Sequence, residues 1–207
     1  MRKAIAVIGE GITEKYYIES LKGLTPFTLL PKELGKKASS LTALEKSIKQ
    51  AIKDGFDEVY CLIDMDTKSE GTNKTDYEKL KRTYHNKYHA IKKVGINCKV
   101  IFIETQRCME LWFLFHFTKH PTTKEFSSYK EVEKELQKYR SNYGKHENYF
   151  KSIGSIHENL TSKEPLGSLK QAVINSENSI ITKNKDNRNY TYSEMHAFIY
   201  ALGIELD

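Results

Sequence analysis

Three short runs in this chain are almost wholly apolar: Ala-Ile-Ala-Val-Ile at residues 4–8, Val-Tyr-Cys-Leu-Ile at 59–63 and Cys-Lys-Val-Ile-Phe-Ile at 98–103. A strand covered on one face alternates polar with apolar residues, so runs of this kind read as strands buried on both faces. The stretches between them carry helical spacing instead. Tyr17, Ile18 and Leu21 mark one helix, with Thr13 as its N-cap and Gly23 as a stop, and Leu41, Leu44, Ile48 and Ile52 mark a second. Tyr77, Leu80, Tyr84, Tyr88 and Ile91 form one stripe of a long basic helix over residues 74–93. Residues 109–117 are apolar all round, as a buried helix is. Such alternation implies an α/β fold, a mainly parallel sheet flanked by helices.

Residues 27–30 make a weaker strand, while 31–40 and 67–73 lack periodicity and read as loops. Beyond residue 117 the character changes. Tyr129, Val132, Leu136 and Tyr139 mark an amphipathic helix, a polar Asn-rich segment covers 184–189, and a last helix runs through Met195, Phe198 and Leu202. The expected division is a sheet domain over 1–117 and a helical C-terminal extension over 118–207 packed on it. A chain of 207 residues suffices for one main core with an appendage.

Charge is uneven along the chain. Residues 1–117 hold 20 Lys/Arg against 15 Asp/Glu, and the remainder 13 against 12, so the excess of +6 lies mostly in the sheet domain. Within it, residues 68–93 carry eight basic against three acidic side chains, interleaved with Tyr84, His85, Tyr88 and His89. That distribution is compatible with a polyanionic partner and equally with a solvated helix face. No apolar run is long enough to span a bilayer and the N-terminus has no cleavable leader pattern, so a cytoplasmic protein without membrane attachment is expected. Cys61, Cys98 and Cys108 lack CxxC spacing and read as reduced core thiols.

Acidic residues follow two of the apolar strands. Glu10 stands between Gly9 and Gly11 after the first, with Glu14 a turn later, and Asp64 and Asp66 follow the second. Open parallel sheets bind ligands outside the carboxyl ends of their strands, which would bring Glu10 and the Asp pair to one edge. Residues two apart on an extended chain face the same way, so Asp64 and Asp66 suit one hard cation or two adjacent ones. Packed carboxylates need protons, basic side chains or metal to neutralise them, and an all-oxygen donor set favours Mg²⁺ or Mn²⁺. Glu110, opening the apolar helix, either completes this shell or simply favours the helix dipole. Glu14 has the same ordinary reading at its own helix, and His116 is best read as a hydrogen-bonded core histidine.

The segments Gly9-Glu-Gly-Ile-Thr-Glu14, Leu62-Ile-Asp-Met-Asp66 and Met109-Glu-Leu-Trp-Phe-Leu-Phe-His-Phe117 together resemble the RloB-like proteins, a family of TOPRIM domains related to topoisomerases, primases and the OLD nucleases. Tyr143-Gly-Lys145 and the stretch Asn189 to His196 are similar to that family's C-terminal pattern. The resemblance implies a TOPRIM-like sheet, Mg²⁺-dependent cleavage of nucleic acid, and a role in bacterial defence against phage beside an ATPase partner. It implies metal-site and catalytic roles for Glu10, Asp64, Asp66 and Glu110, with Glu14 as a further metal ligand.

On this reading the substrate is RNA, such as tRNA, or DNA, and Lys36, Lys37, Lys68, Lys81 and Arg82 would guide the strand. Two other enzymatic readings stay open. Asp64-Met-Asp66-Thr67 also resembles the nucleophile motif of haloacid-dehalogenase-type phosphatases, with Asp64 attacking phosphate, though no later acidic motif follows residues 98–103. A glycosyltransferase-type DxD would leave Glu10 and Glu14 unexplained. The non-enzymatic reading is a subunit that binds nucleic acid or an ATPase partner, its acidic cluster holding a structural ion.

Overall fold

The computed structural model describes residues 3–33, 41–69, 71–91, 95–187 and 191–206. The first apolar run forms β1 (Ala4–Gly9), followed by α1 (Ile12–Leu21), β2 (Thr28–Glu33) and α2 (Leu41–Lys53). Next come β3 (Glu58–Asp64), α3 (Gly71–Tyr84), β4 (Lys87–Ile91) and β5 (Ile96–Gln106). The remainder is α4 (Met109–Phe115), α5 (Tyr129–Leu136), α6 (Glu147–Ile153), α7 (Ile156–Thr161), α8 (Leu169–Asp186), the short β6 (Tyr192–Ser193) and α9 (Met195–Ala201). Among the described residues no helix is long and apolar enough to cross a membrane.

The six strands make one sheet in the order β2-β1-β3-β5-β4, with β6 added to β5. The strand β1 pairs in parallel with both β2 and β3, so Ile8 lies opposite Cys61 and the two strands end at the same edge. Bonds from Lys99 N–H to Asp57 O and from Met65 N–H to Thr105 O align β5 parallel to β3. β4 and β6 run antiparallel to β5. The expected α/β class with a mostly parallel, helix-flanked sheet is the class observed.

The chain falls into two compact units, Met1–Ile63 with Thr67–Ile103, and Asp64–Asp66 with Glu104–Asp207. In the first, the central strands are buried as their unbroken apolar runs require: Ile5, Ala6 and Ile8 of β1 and Val59 and Cys61 of β3 are inaccessible. Tyr17, Ile18 and Leu21 bury one face of α1, and each such side chain contributes roughly 1.5–3 kcal/mol by leaving water. In the second unit all seven residues of α4 are buried, with Trp112, Phe113 and Phe115 inaccessible. Phe198 of α9 and Val132 and Leu136 of α5 are also inaccessible.

Five local expectations are corrected. The helix expected over 74–93 ends at Tyr84: Asn86 takes a left-handed φ of 56°, which asparagine tolerates better than most residues, and Lys87–Ile91 turn into an edge strand with Tyr88 exposed. Tyr88 and Ile91 therefore belong to a strand; Tyr77, Leu80 and Tyr84 are buried on the helix. The loop expected at 67–73 gives way to α3 from Gly71 onward. The loop expected from residue 31 begins as strand, because Pro31 lies on the edge strand β2, where its missing N–H removes less of the ladder. Thr13 is a buried residue inside α1, and the N-cap is Gly11. The long helix α8 also takes in Asn184, Lys185 and Asp186, read as irregular, before Asn187 closes it in a left-handed conformation.

The turn from β1 to α1 depends on Gly9. A Cβ there would stand 2.4 Å from the Cβ of Glu14, an atom the helix backbone holds in place. Gly9→Ala is expected to destabilise the protein by about 1–3 kcal/mol through this overlap. A lowered urea midpoint with unchanged slope would register it, and an unchanged midpoint would contradict it.

Candidate functional site

The first unit holds Glu10 and Glu14 at the carboxyl end of β1. The Glu14 carboxylate turns back to accept the Gly11 N–H at 2.9 Å, and the residue is 1% exposed. It thereby satisfies one of the amide donors that a helix start leaves unbonded. Lys68 donates to Glu10 Oε2 at 2.8 Å, stands 2.7 Å from Oε1 as an ion pair, and is itself buried. A buried ammonium is costly unless paired, and Glu10 provides the charge it needs. The structure thus places Lys68, read as a contact for nucleic acid, on an acidic residue of the candidate site.

Lys81 and Arg82 lie in the last turn of α3, where with Glu78 and His85 they line a shallow recess of about 450 Å³. The ring of His85 accepts the Phe102 N–H through Nδ1 at 3.0 Å. Lys36 and Lys37 lie outside the described residues.

The second unit holds Asp64, Asp66 and Glu110. Met65 is buried while Asp64 and Asp66 are half-buried, the alternation expected for neighbours along an extended chain. Asp64 Oδ1 accepts the N–H of Met109, the first residue of α4, at 2.9 Å. One turn of α4 carries Glu110, which is inaccessible to water, and Tyr143 donates its hydroxyl to Glu110 Oε1 at 2.7 Å. The Tyr143 ring is wedged edge-on among Phe113, Tyr149 and Phe150. Lys145 places its Nζ 3.8 Å from Asp64 Oδ2 and 3.7 Å from Glu110 Oε1.

Sequence reasoning gave no role to Tyr143 and Lys145. Their only signal was the similarity of Tyr143-Gly-Lys145 to a family pattern, since no local periodicity links them to Asp64. The turn between them is tight, because a Cβ on Gly144 would meet the His146 ring at 2.9 Å.

Burial raises the Cys108 thiol well above its usual range, and the neighbouring Glu110 and Asp64 charges add to the effect. All three cysteines are free and buried, and burial likewise raises Cys61 strongly and Cys98 to about 11, as expected of inert core thiols.

His116, closing α4, bonds through Nδ1 to the Trp112 carbonyl at 3.0 Å and sits edge-on to the Trp112 ring. Burial pushes its imidazole down to about 3. The folded protein keeps this ring neutral, whereas the unfolded chain takes up its proton near pH 6.5. Unfolding therefore binds a proton between those values: the contribution is intact above about pH 6.5 and is lost as pH falls toward 3. His157 and His196, also lowered by burial, act in the same sense. Stability at pH 4.5 is expected to lie about 2–3 kcal/mol below that at pH 7.5 from His116 alone. Urea unfolding at the two values checks this, and a flat profile would contradict it.

Among the described residues no three His, Cys, Asp or Glu side chains form a ready-made metal cage. Ammonium groups and backbone amides meet the carboxylates instead. The donor chemistry still fits a hard divalent cation: Asp64 and Glu110 offer only oxygen, converge on the Lys145 ammonium, and each accepts a well-formed hydrogen bond.

Curated proteins and solved structures give no match to this sequence. The model of the family described as RloB-like protein matches residues 5–202, taking in the β1–α1 turn, the Asp pair, α4 and the Tyr143–Lys145 turn. With nearly its whole length so matched, the chain belongs to the RloB-like protein family.

Proposed function

We propose that this protein is a Mg²⁺- or Mn²⁺-dependent nuclease that hydrolyses phosphodiester bonds in RNA or DNA, acting in bacterial defence against phage beside an ATPase partner. The observation that carries the reading is the convergence of Asp64 and Glu110, distant in sequence, on one ammonium group. A pair of this kind stores negative charge where a cation is to be held, and a purely structural site would gain more from apolar packing.

Within the second unit, Asp64, Asp66 and Glu110 are the residues that would hold metal in a TOPRIM-type centre, and the resemblance to that family gives Glu10 of the first unit a metal-site role as well. Bound there, divalent metal would supply an activated water and neutralise phosphate charge. The chain's own residues prepare for this. Met109 N–H orients Asp64, Tyr143 orients Glu110, and Glu14 fixes the turn that presents Glu10. Lys81 and Arg82 offer positive charge to the phosphate backbone.

The test is incubation of the full chain with single-stranded RNA, tRNA and DNA in Mg²⁺ or Mn²⁺, with and without EDTA. Metal-dependent cleavage of at least one substrate is expected. Cleavage that persists in EDTA, or none on any substrate with the ATPase partner present, would sink the reading.

A further inference from the structure

Two lysines meet acidic residues of the candidate site, and they are held very differently. Lys68 is clamped on Glu10 at 2.7 and 2.8 Å with its side chain 5% exposed. Lys145 stands 3.7 and 3.8 Å from its two carboxylates with its side chain 30% exposed. Those separations exceed the 2.7–3.2 Å of a good N–H···O bond, so Lys145 balances charge without short bonds to either carboxylate. Its ammonium lies 5.1 Å from the centre of the Tyr129 ring, and its flexible stem leaves it a route to solvent. Tyr143, from the same turn, contrasts with it: the hydroxyl is firmly bonded to Glu110 and the ring is packed on several sides.

We infer that Lys145 is a resident counter-ion, balancing Asp64 and Glu110 in the metal-free protein and giving way when a divalent cation enters. It thereby sets the metal affinity by competition, while Tyr143 keeps Glu110 aimed throughout. This rests on the metal-centre reading above. The physical reason is that two neighbouring carboxylates, one half-buried and one buried, repel each other without a cation, and the ammonium relieves that repulsion. Entry of a doubly charged ion makes the same ammonium a source of repulsion, and a partly exposed side chain recovers hydration and rotamer freedom on leaving.

The experiment uses the full chain without nucleic acid. Mn²⁺ is titrated calorimetrically into wild type, Lys145→Met, Lys145→Gln and Lys145→Arg, and each melting temperature is recorded with and without Mn²⁺. Both neutral variants are expected to bind Mn²⁺ about tenfold more tightly than wild type, because one positive charge has left the site. Their metal-free melting temperatures should fall and their gain on adding Mn²⁺ should grow. Lys145→Arg should stay near wild type, because the charge remains. If wild type binds Mn²⁺ and the neutral variants bind equally or more weakly, the counter-ion role is overturned and the nuclease reading stands. Tightening by Lys145→Arg equal to that of the neutral variants also overturns it. Failure of wild type and all variants to bind Mn²⁺ overturns both this inference and the metal centre.

Discussion

Converting Asp64 and Asp66 together to asparagine is expected to lower metal-dependent cleavage at least about 100-fold, since even residues that only orient a metal ligand cost 10–100-fold when lost. Asparagine suits this test better than alanine. Its side-chain oxygen still accepts the Met109 N–H that Asp64 holds at 2.9 Å, so the start of α4 keeps its bond. The change in unfolding free energy should then stay within about 1 kcal/mol, in the range of a surface or half-buried polar exchange. Cleavage rate and urea midpoint measured on the same preparation separate the enzymatic reading from a binding subunit. If the midpoint falls while cleavage persists, the acidic pair stabilises structure and the nuclease assignment of these residues is wrong. Trapping of a phosphoryl group on Asp64 would instead revive a phosphatase with that residue as nucleophile.

Arg140→Ala is expected to destabilise the second unit by about 3–5 kcal/mol, the cost of leaving buried polar groups without their charged partner. Arg140 is 7% exposed and donates from Nε to Asn159 O at 2.8 Å, from Nη1 to Tyr139 O and Pro165 O at 2.7 and 3.0 Å, and from Nη2 to Leu160 O and Lys163 O, both at 3.0 Å. Its guanidinium also lies over the Phe117 ring at 4.5 Å, and that ring stacks on Tyr139. One planar group therefore gathers the carbonyls at the end of α7 and in the loop that follows. Lysine cannot reproduce a fork of five donors, so Arg140→Lys should recover only a minor part of the loss. Thermal or urea unfolding checks both variants. Near-wild-type stability of Arg140→Ala would mean that water replaces the guanidinium at those carbonyls at little cost.

Legibility of the sequence differed by element, and the reason is physical. The buried strands β1, β3 and β5 were plain because their hydrophobic runs are a local property of the chain. The all-apolar helix α4 was equally plain. The end of α3 was not. Tyr88 and Ile91 continue a helical spacing, and only pairing with β5 turns Lys87–Ile91 into a strand. Asn86 carried the stop signal, but asparagine also sits within helices at modest cost. The helix α8 hid because its mixed polar composition gives it no clear stripe, and its buried Asn175, Ser176 and Ser179 are satisfied by partners distant in sequence or one turn away.

The candidate site divides along the same line. By itself the sequence determined that acidic residues follow the ends of two buried strands and open the apolar helix, since strand ends and helix starts are written in local pattern. Only the tertiary structure decided which groups meet them: the Lys68 ammonium on Glu10, the Lys145 ammonium beside Asp64 and Glu110, and the Tyr143 hydroxyl on Glu110. Neutralising a carboxylate requires proximity in space, and the lysines that achieve it arrive from segments whose own local patterns carry no mark of their destination.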